Sequence, residues 1–260
     1  MNDINNLFFE LIRIAIGVDG CLSWTPKVAE WQEIYAIAKK QSLIGISFAG
    51  VQKLQMQQQC PPEMLYLKRM DMAAKIQQQG KKHREVIGRV SELLTAKGID
   101  AIFMKGLICA SRYLQPELRQ CGDIDFEVRE EDFAKTLDAL DEVAEVDRSL
   151  VHEHHGMAHI GGVQLEPHYK IHNFQNPWND RMMRMLQREV MNAPECYAEI
   201  GGKKTRKFPM EFEGMFLVSN MVNHVYEEGL GLRQVMDYGL WIYLTIRTLT
   251  WSCITSTSGR

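Results

Sequence analysis

The sequence predicts an α+β core set between two helical regions, and three observations carry that expectation. Apolar residues recur at the helical period through residues 4–97. After Gly98 the pattern changes to short apolar runs alternating with amphipathic stretches. From about residue 176 the helical period returns. The expected divisions are therefore an N-terminal helical domain over 1–97, an α/β core over 98–175 and a C-terminal helical region over 176–260.

Composition bounds the function classes. The chain has 260 residues, 45% hydrophobic and 24% charged, as in ordinary globular proteins with a substantial core. A formal charge of -3 argues against a protein that coats long nucleic acids, though a local basic groove is compatible with it. The six cysteines show no CxxC spacing and read as reduced thiols, not as a zinc ribbon. The first residues, MNDINNLFFELIRIAIG, lack the basic start of a signal peptide, and Glu10 and Arg13 interrupt their apolar run. No window offers the ~18 apolar residues of a membrane span. The expected location is the cytoplasm, with no membrane partner.

The first helix follows from Leu7, Phe8, Leu11, Ile12 and Ile16, which share a helical face; Val28, Trp31, Ile34, Tyr35 and Ile37 line a second. A third continues over 45–56. Pro61 and Pro62 mark a break and a helix start. Residues 63–97 read as one long helix, or as two broken near Gly80. Its Lys68, Arg69, Lys75, Lys81, Lys82 and Arg84 read most simply as a solvated face.

IDAIFM (99–104) reads as a strand, LICASRYL as a helix, DIDFEV as a second strand and EEDFAKTLDALDEV as a helix. AEVDRSLV and GGVQLEPHYKI read as further strands around a His-rich segment. Residues 173–180 form a loop and RMMRMLQREVMN a helix. APECYAEIGGKKTRKFP reads as irregular, residues 210–226 and LRQVMDYGLWIYLTIRTL as helices, and the polar last ten residues as a frayed tail.

Chemistry is concentrated in 102–128. On a strand Asp123 and Asp125 point to one face while Ile124 points into the core. Two adjacent carboxylates on an apolar scaffold repel each other unless a cation sits between them, which makes the pair a metal-site candidate. Lys105-Gly106 stands at a strand-to-helix junction, where glycine permits close backbone approach to phosphate. Arg119 is a natural phosphate ligand just upstream of the pair. Glu166, near the end of an apolar strand, supplies a third carboxylate; as an alternative it is an ordinary exposed strand end.

These residues resemble a known family. Lys-Gly, a helix of spacing and Arg-x-x-Gly-Asp-Ile-Asp-Phe are similar to the nucleotidyltransferase fold of the DNA polymerase beta superfamily. More narrowly, KG…R..GDIDF, the strand with Glu166, Pro167 and His168, and the late GLRQVMDYGLWI segment resemble an uncharacterised bacterial nucleotidyltransferase family. The resemblance covers roughly 99–243, with its sharp motifs in 105–168. The superfamily usually has Gly-Ser or Gly-Gly where this chain has Lys105-Gly106-Leu107, so a serine contact to phosphate is absent.

The resemblance implies a polymerase beta-like core, a mixed sheet with flanking helices. It implies a magnesium-dependent enzyme that moves a nucleoside monophosphate from a nucleoside triphosphate to an acceptor hydroxyl, releasing pyrophosphate. Asp123, Asp125 and Glu166 would be the catalytic and metal-holding residues, with two Mg²⁺ ions bound alongside the nucleotide. Lys105, Gly106, Arg119 and Gly122 would bind nucleotide, and His168 would orient Glu166 or touch substrate. ATP, CTP, GTP and UTP all fit this scheme, as do a small molecule, a protein or an RNA end as acceptor. One alternative is a catalytically inactive nucleotide-binding or interaction module on the same fold, with Glu166 too far from the aspartates to share a metal. The other is a zinc-dependent hydrolase using His152, His154, His155 and His159, which otherwise read as a polar edge of the cleft. Of the C-terminal candidates His224, Arg233 and Asp237, the last two are expected to pair with each other across one helical turn.

Overall fold

The computed structural model describes residues 4–18, 20–55, 58–150, 155–171, 176–227 and 229–257; the side chains of 150, 227 and 247–257 lie outside that description. Three helices open the chain, α1 (Ile4–Ile16), α2 (Val28–Lys40) and α3 (Ile44–Leu54), and α4 (Glu63–Ala96) follows them. Leu7, Leu11, Trp31, Ile34, Phe48 and Leu54 pack into one apolar cluster. That cluster also takes in Tyr113 and Leu118 from the segment that leads to the paired aspartates.

α4 is continuous through Gly80, so the break considered there does not occur. A helical glycine costs about 1 kcal/mol against alanine. Gly80 is buried, and a Cβ built on it would approach the Glu117 carbonyl at 3.8 Å. The length of the helix lets its first half join the N-terminal cluster through Ala73 and its second half cover the sheet through Ile87, Val90 and Leu94. Arg69 departs from the expected solvated face. It is 2% exposed, donates to the Trp31 carbonyl at 2.5 Å and lies over the rings of Trp31 and Tyr35. Burial lowers its pKa to about 10.

The core is a seven-stranded mixed sheet: β1 (Ala101–Met104), β2 (Asp123–Val128), β3 (Glu145–Asp147), β4 (Met157–Ile160), β5 (Val163–His168), β6 (Cys196–Ile200) and β7 (Lys203–Lys207), in the order β3-β4-β5-β2-β1-β7-β6. β1 runs antiparallel to β2, and β5 runs parallel to β2 on its other side. Alternation decides the faces. Phe103, Ile124, Phe126, Val128, Val163 and Leu165 enter the cluster under α4 and α6 (Phe133–Leu140), whereas Ile102 and Met104 enter a second cluster on the opposite face. That second cluster is closed by Met183, Val190 and Met191 of α7 (Pro177–Asn192) and by Phe212 and Phe216 of α8 (Met210–Glu227).

Three expectations need correction. Residues 196–207, read as irregular, form the β6–β7 hairpin, and β7 joins β1 in parallel at Phe103 and Lys207. The sheet therefore runs past the boundary expected at 175. Lys203, Lys204, Arg206 and Lys207 gave the stretch the look of a solvated loop, but each has a partner. They lie respectively against Glu92, the Tyr197 ring, Asp100 and Glu213. Second, α9 (Leu232–Thr257) carries helix into the stretch expected to fray. Third, Asp237 pairs with Arg119 and not with Arg233. Among the described residues Cys21, Cys60, Cys109, Cys121 and Cys196 are free cysteines. Among the described residues no helix is long and apolar enough to cross a membrane.

Candidate active site

The site is built on β2, whose Asp123, Asp125 and Glu127 share the face away from the α4 cluster. Register sets their neighbours. Asp125 stands opposite Met104 of β1 and opposite Glu166 of β5, and Glu127 stands opposite His168. At the end of β1 the chain turns through Lys105 with φ +54° and Gly106 with φ +36° into α5 (Gly106–Ala110). A lysine in the left-handed region is costly, on the order of 1–3 kcal/mol, and such strain persists where surrounding structure imposes it. Here the turn aims the lysine back across the strand, and its Nζ lies 3.2 Å from Asp125 Oδ1.

His168 Nε2 reaches the same Oδ1 at 3.1 Å and lies 3.8 Å from Glu166 Oε2. Gln164 donates to Glu166 Oε1 at 2.6 Å, fixing that carboxyl on the strand. Ligand atoms of Asp125, Glu166 and His168 all fall within 4.8 Å of one another. Glu166 thus converges with Asp125. Asp123 lines the same cavity but stands outside that tight group. His168, expected as an accessory, is the third member of the cluster.

Electrostatics divide the carboxyls by role. Burial pushes Asp125 up, but the neighbouring Lys105 and His168 outweigh it and hold Asp125 well below the usual carboxylate range. Burial, and then repulsion from Asp125, raise Asp123. Burial, Asp125 and Asp123 push Glu166 up to about 7. Burial works against the Lys105 ammonium, yet Asp125 and Asp123 keep its pKa above the ordinary lysine value. One carboxylate is fixed as an anion, and another is poised to exchange a proton near neutrality.

The cavity in front of this row measures about 370 Å³, and α8 and α9 close its far side with Asn220, His224, Arg233, Gln234 and Asp237. Arg119 lines it, but its guanidinium is committed. Nε donates to Asp237 Oδ1 at 2.9 Å, Nη2 to Asp237 Oδ2, and Nη1 to the Gln120 carbonyl at 3.1 Å. Tyr113 adds a hydroxyl donor to Asp237 Oδ1 at 2.8 Å. Gly122 is held from the other side by His83 of α4, whose Nε2 lies 3.1 Å from its carbonyl. No local pattern marks His83, because a histidine amid the lysines of a long helix reads as surface, whereas here it is buried.

His155 lines the cavity, its ring centroid 5.2 Å from that of His168. His159 is exposed on β4, and His152 and His154 lie outside the described residues. Among the described residues the one group of metal-capable side chains is Asp125, Glu166 and His168. A larger cavity of about 550 Å³, beside Arg129, Lys170 and Arg184, contains none of the residues singled out from the sequence.

Solved structures that show likeness include the following three. An antigenic nucleotidyltransferase-like protein from Paracoccidioides brasiliensis is 18% identical, with 62% of this chain and 75% of that one covered and a TM-score of 0.42. The antibiotic-resistance factor ANT(2'')-Ia in solution is 12% identical over 68% of this chain and 95% of that one, at a TM-score of 0.45. The crystal structure of ANT(2'')-Ia in complex with adenylyl-2''-tobramycin is 12% identical over 63% and 90%, also at 0.45. Likeness at this level says nothing about substrate. No curated protein matches the chain. A family model does, across residues 27–258, nearly the whole length and every element of the site, and the chain therefore belongs to the family described as uncharacterised nucleotidyltransferases.

Proposed function

We propose that the protein transfers a nucleoside monophosphate from a nucleoside triphosphate to an acceptor hydroxyl, with magnesium as the required cation and pyrophosphate as the second product. The observation that carries this reading is the convergence of Asp125, Glu166 and His168 opposite Lys105, on a strand that also presents Asp123.

The donor set fits a divalent cation. Asp123, Asp125 and Glu166 supply carboxylate oxygens, the ligands magnesium prefers, and two of the three are raised by burial and by the mutual repulsion a cation would relieve. Asp123, Asp125 and Glu166 would hold it, with two ions the number expected beside a bound nucleotide. Such ions would supply Lewis-acid neutralisation of the phosphate oxygens and activation of the acceptor oxygen.

The chain's own groups account for the remaining requirements. The acceptor oxygen forms a bond to the α-phosphorus, the bond from that phosphorus to the bridging oxygen breaks, and pyrophosphate leaves with the electron pair. Glu166, at the cavity wall, takes the hydroxyl proton on the carboxylate oxygen not given to the cation. Lys105 stays charged beside the row and balances charge on the triphosphate. His168 holds Asp125 in place through Nε2. Gly106 keeps the backbone of the turn close to the Asp123 carbonyl. Arg119, engaged with Asp237, keeps the loop before β2 in position.

The test is calorimetric titration of the purified protein with each of the four common nucleoside triphosphates in magnesium. At least one should bind, and Asp125→Asn should weaken that binding by ~100-fold or more, since it removes a charged ligand and leaves the half-buried Lys105 without its carboxylate. Absence of binding by all four, or binding unchanged in the variant, would overturn the reading.

A further inference from the structure

Among the residues lining the active-site cavity, the lysine and arginine side chains are Lys105, Arg119 and Arg233. Two are matched with carboxylates inside the protein. Lys105 lies on Asp125, and Arg119 is bidentate on Asp237 with its remaining nitrogen on Gln120 and Cys121. Arg233 differs. Its Nη1 donates to the Gln120 carbonyl at 3.2 Å, a neutral acceptor that Arg119 already shares, and among the described residues it makes no ion pair. A half-buried guanidinium that lines a cavity and spends one nitrogen on a neutral carbonyl is matched by a ligand that brings negative charge.

Its position on the chain points the same way. Arg233 lies in the first turn of α9, a turn without an acidic residue. A cation there is disfavoured by the helix dipole, so helix stability does not explain it. The turn is approached through Gly229, with φ +92°, and is anchored by the Leu232 amide on Gln41 Oε1 at 2.8 Å. Asp237, one turn further along, is taken by Arg119 and so does not neutralise Arg233. The same helix therefore fixes one arginine of the core and presents another to the cavity, in no ion pair though near enough to ease the charge on Asp123.

We propose that Arg233, and not Arg119, is the guanidinium that grips the β- and γ-phosphates of the triphosphate, so that the C-terminal helix supplies the clamp for the leaving pyrophosphate. This rests on the nucleotidyl-transfer reading above. A planar guanidinium suits two phosphate oxygens at once, and lysine at 233 reproduces the charge without the fork.

The experiment measures magnesium-dependent binding of three probes by calorimetry: the nucleoside triphosphate the wild-type protein takes up, its nucleoside monophosphate, and inorganic tripolyphosphate. Arg233→Ala should weaken the triphosphate and tripolyphosphate by ~10- to 100-fold, as expected for lost charge-assisted hydrogen bonds, and change the monophosphate by less than about twofold. Arg233→Lys should recover part of the loss. Should the alanine variant fold poorly, Arg233→Gln and Arg233→Lys carry the same comparison. Triphosphate binding within about twofold of wild type in these variants overturns the assignment, and so does an equal loss of monophosphate and triphosphate. If wild type binds triphosphate, Asp125→Asn abolishes it and Arg233→Ala does not, the assignment alone fails. If wild type binds none of the probes, the nucleotidyl-transfer reading fails first.

Discussion

Glu166 owes its protonation to register. Parallel pairing of β2 with β5 sets it opposite Asp125, and burial there raises it to about 7. The folded protein thus holds this proton more tightly than the unfolded chain, whose glutamate titrates near its ordinary value. The stabilising contribution is complete below about pH 4.5 and is lost as pH rises through 7. In metal-free protein the cost by pH 8 should be on the order of 2–3 kcal/mol, moderated by partial solvent access. Thermal melts of wild type against Glu166→Gln should show a decline between pH 5 and 8 that the variant flattens. Magnesium should raise the wild-type midpoint more at pH 8 than at pH 5.5, because protons and cation compete for the carboxyl. The sequence offered Glu166 as a candidate third carboxylate, or as an ordinary strand end, and the pairing of β2 with β5 that sets it beside Asp125 is a tertiary fact no local pattern carries. Nor could the sequence show that Arg119 is spent on Asp237, because a partner 118 residues away leaves no local trace.

At the scale of elements, what was legible was what obeyed a period. The long α4 and the strands β1 and β2 carry apolar residues at spacings that only one face can bury, and these elements formed as expected. The β6–β7 hairpin carries lysines and an arginine, and only its tertiary partners make it a strand pair. Gly45 illustrates a contact that pattern alone does not disclose. α3 meets the segment leading to β2 so closely that a Cβ on Gly45 would lie 2.0 Å from the Leu118 carbonyl oxygen, a backbone atom with no rotamer to yield. Gly45→Ala should therefore separate α3 from that segment and destabilise the fold by about 1–3 kcal/mol, measurable by urea denaturation. Because Arg119 follows Leu118, nucleotide affinity should fall as well. A stability loss under 0.5 kcal/mol would show that the helix simply slides.

At the scale of the whole molecule, buried polar pairs join the C-terminal helices to the sheet. Arg112 of the core pairs with Glu213 of α8 at 2.6 Å, and Arg119 and Tyr113 converge on Asp237 of α9. Both members of the Arg119–Asp237 pair are about 95% buried, so each charge depends on the other for its solvation. Removing one partner should cost about 3–5 kcal/mol because it strands the other, whereas replacing both with apolar residues should cost far less than the sum. The cycle Asp237→Leu, Arg119→Leu and the double variant, followed by denaturant unfolding, should yield a coupling of about 2 kcal/mol or more in favour of the pair. Additive losses would mean that water enters the cavity and solvates each group separately. The function of the pair is tested in the same variants. If it holds α9 over the carboxylate row, the double variant should regain stability without regaining nucleotide affinity, since apolar packing restores the fold but not the placement of the loop between Arg119 and Asp123. Recovery of both would reduce the pair to a structural contact and leave positioning of the cavity to Gly45, His83 and the Lys105 turn.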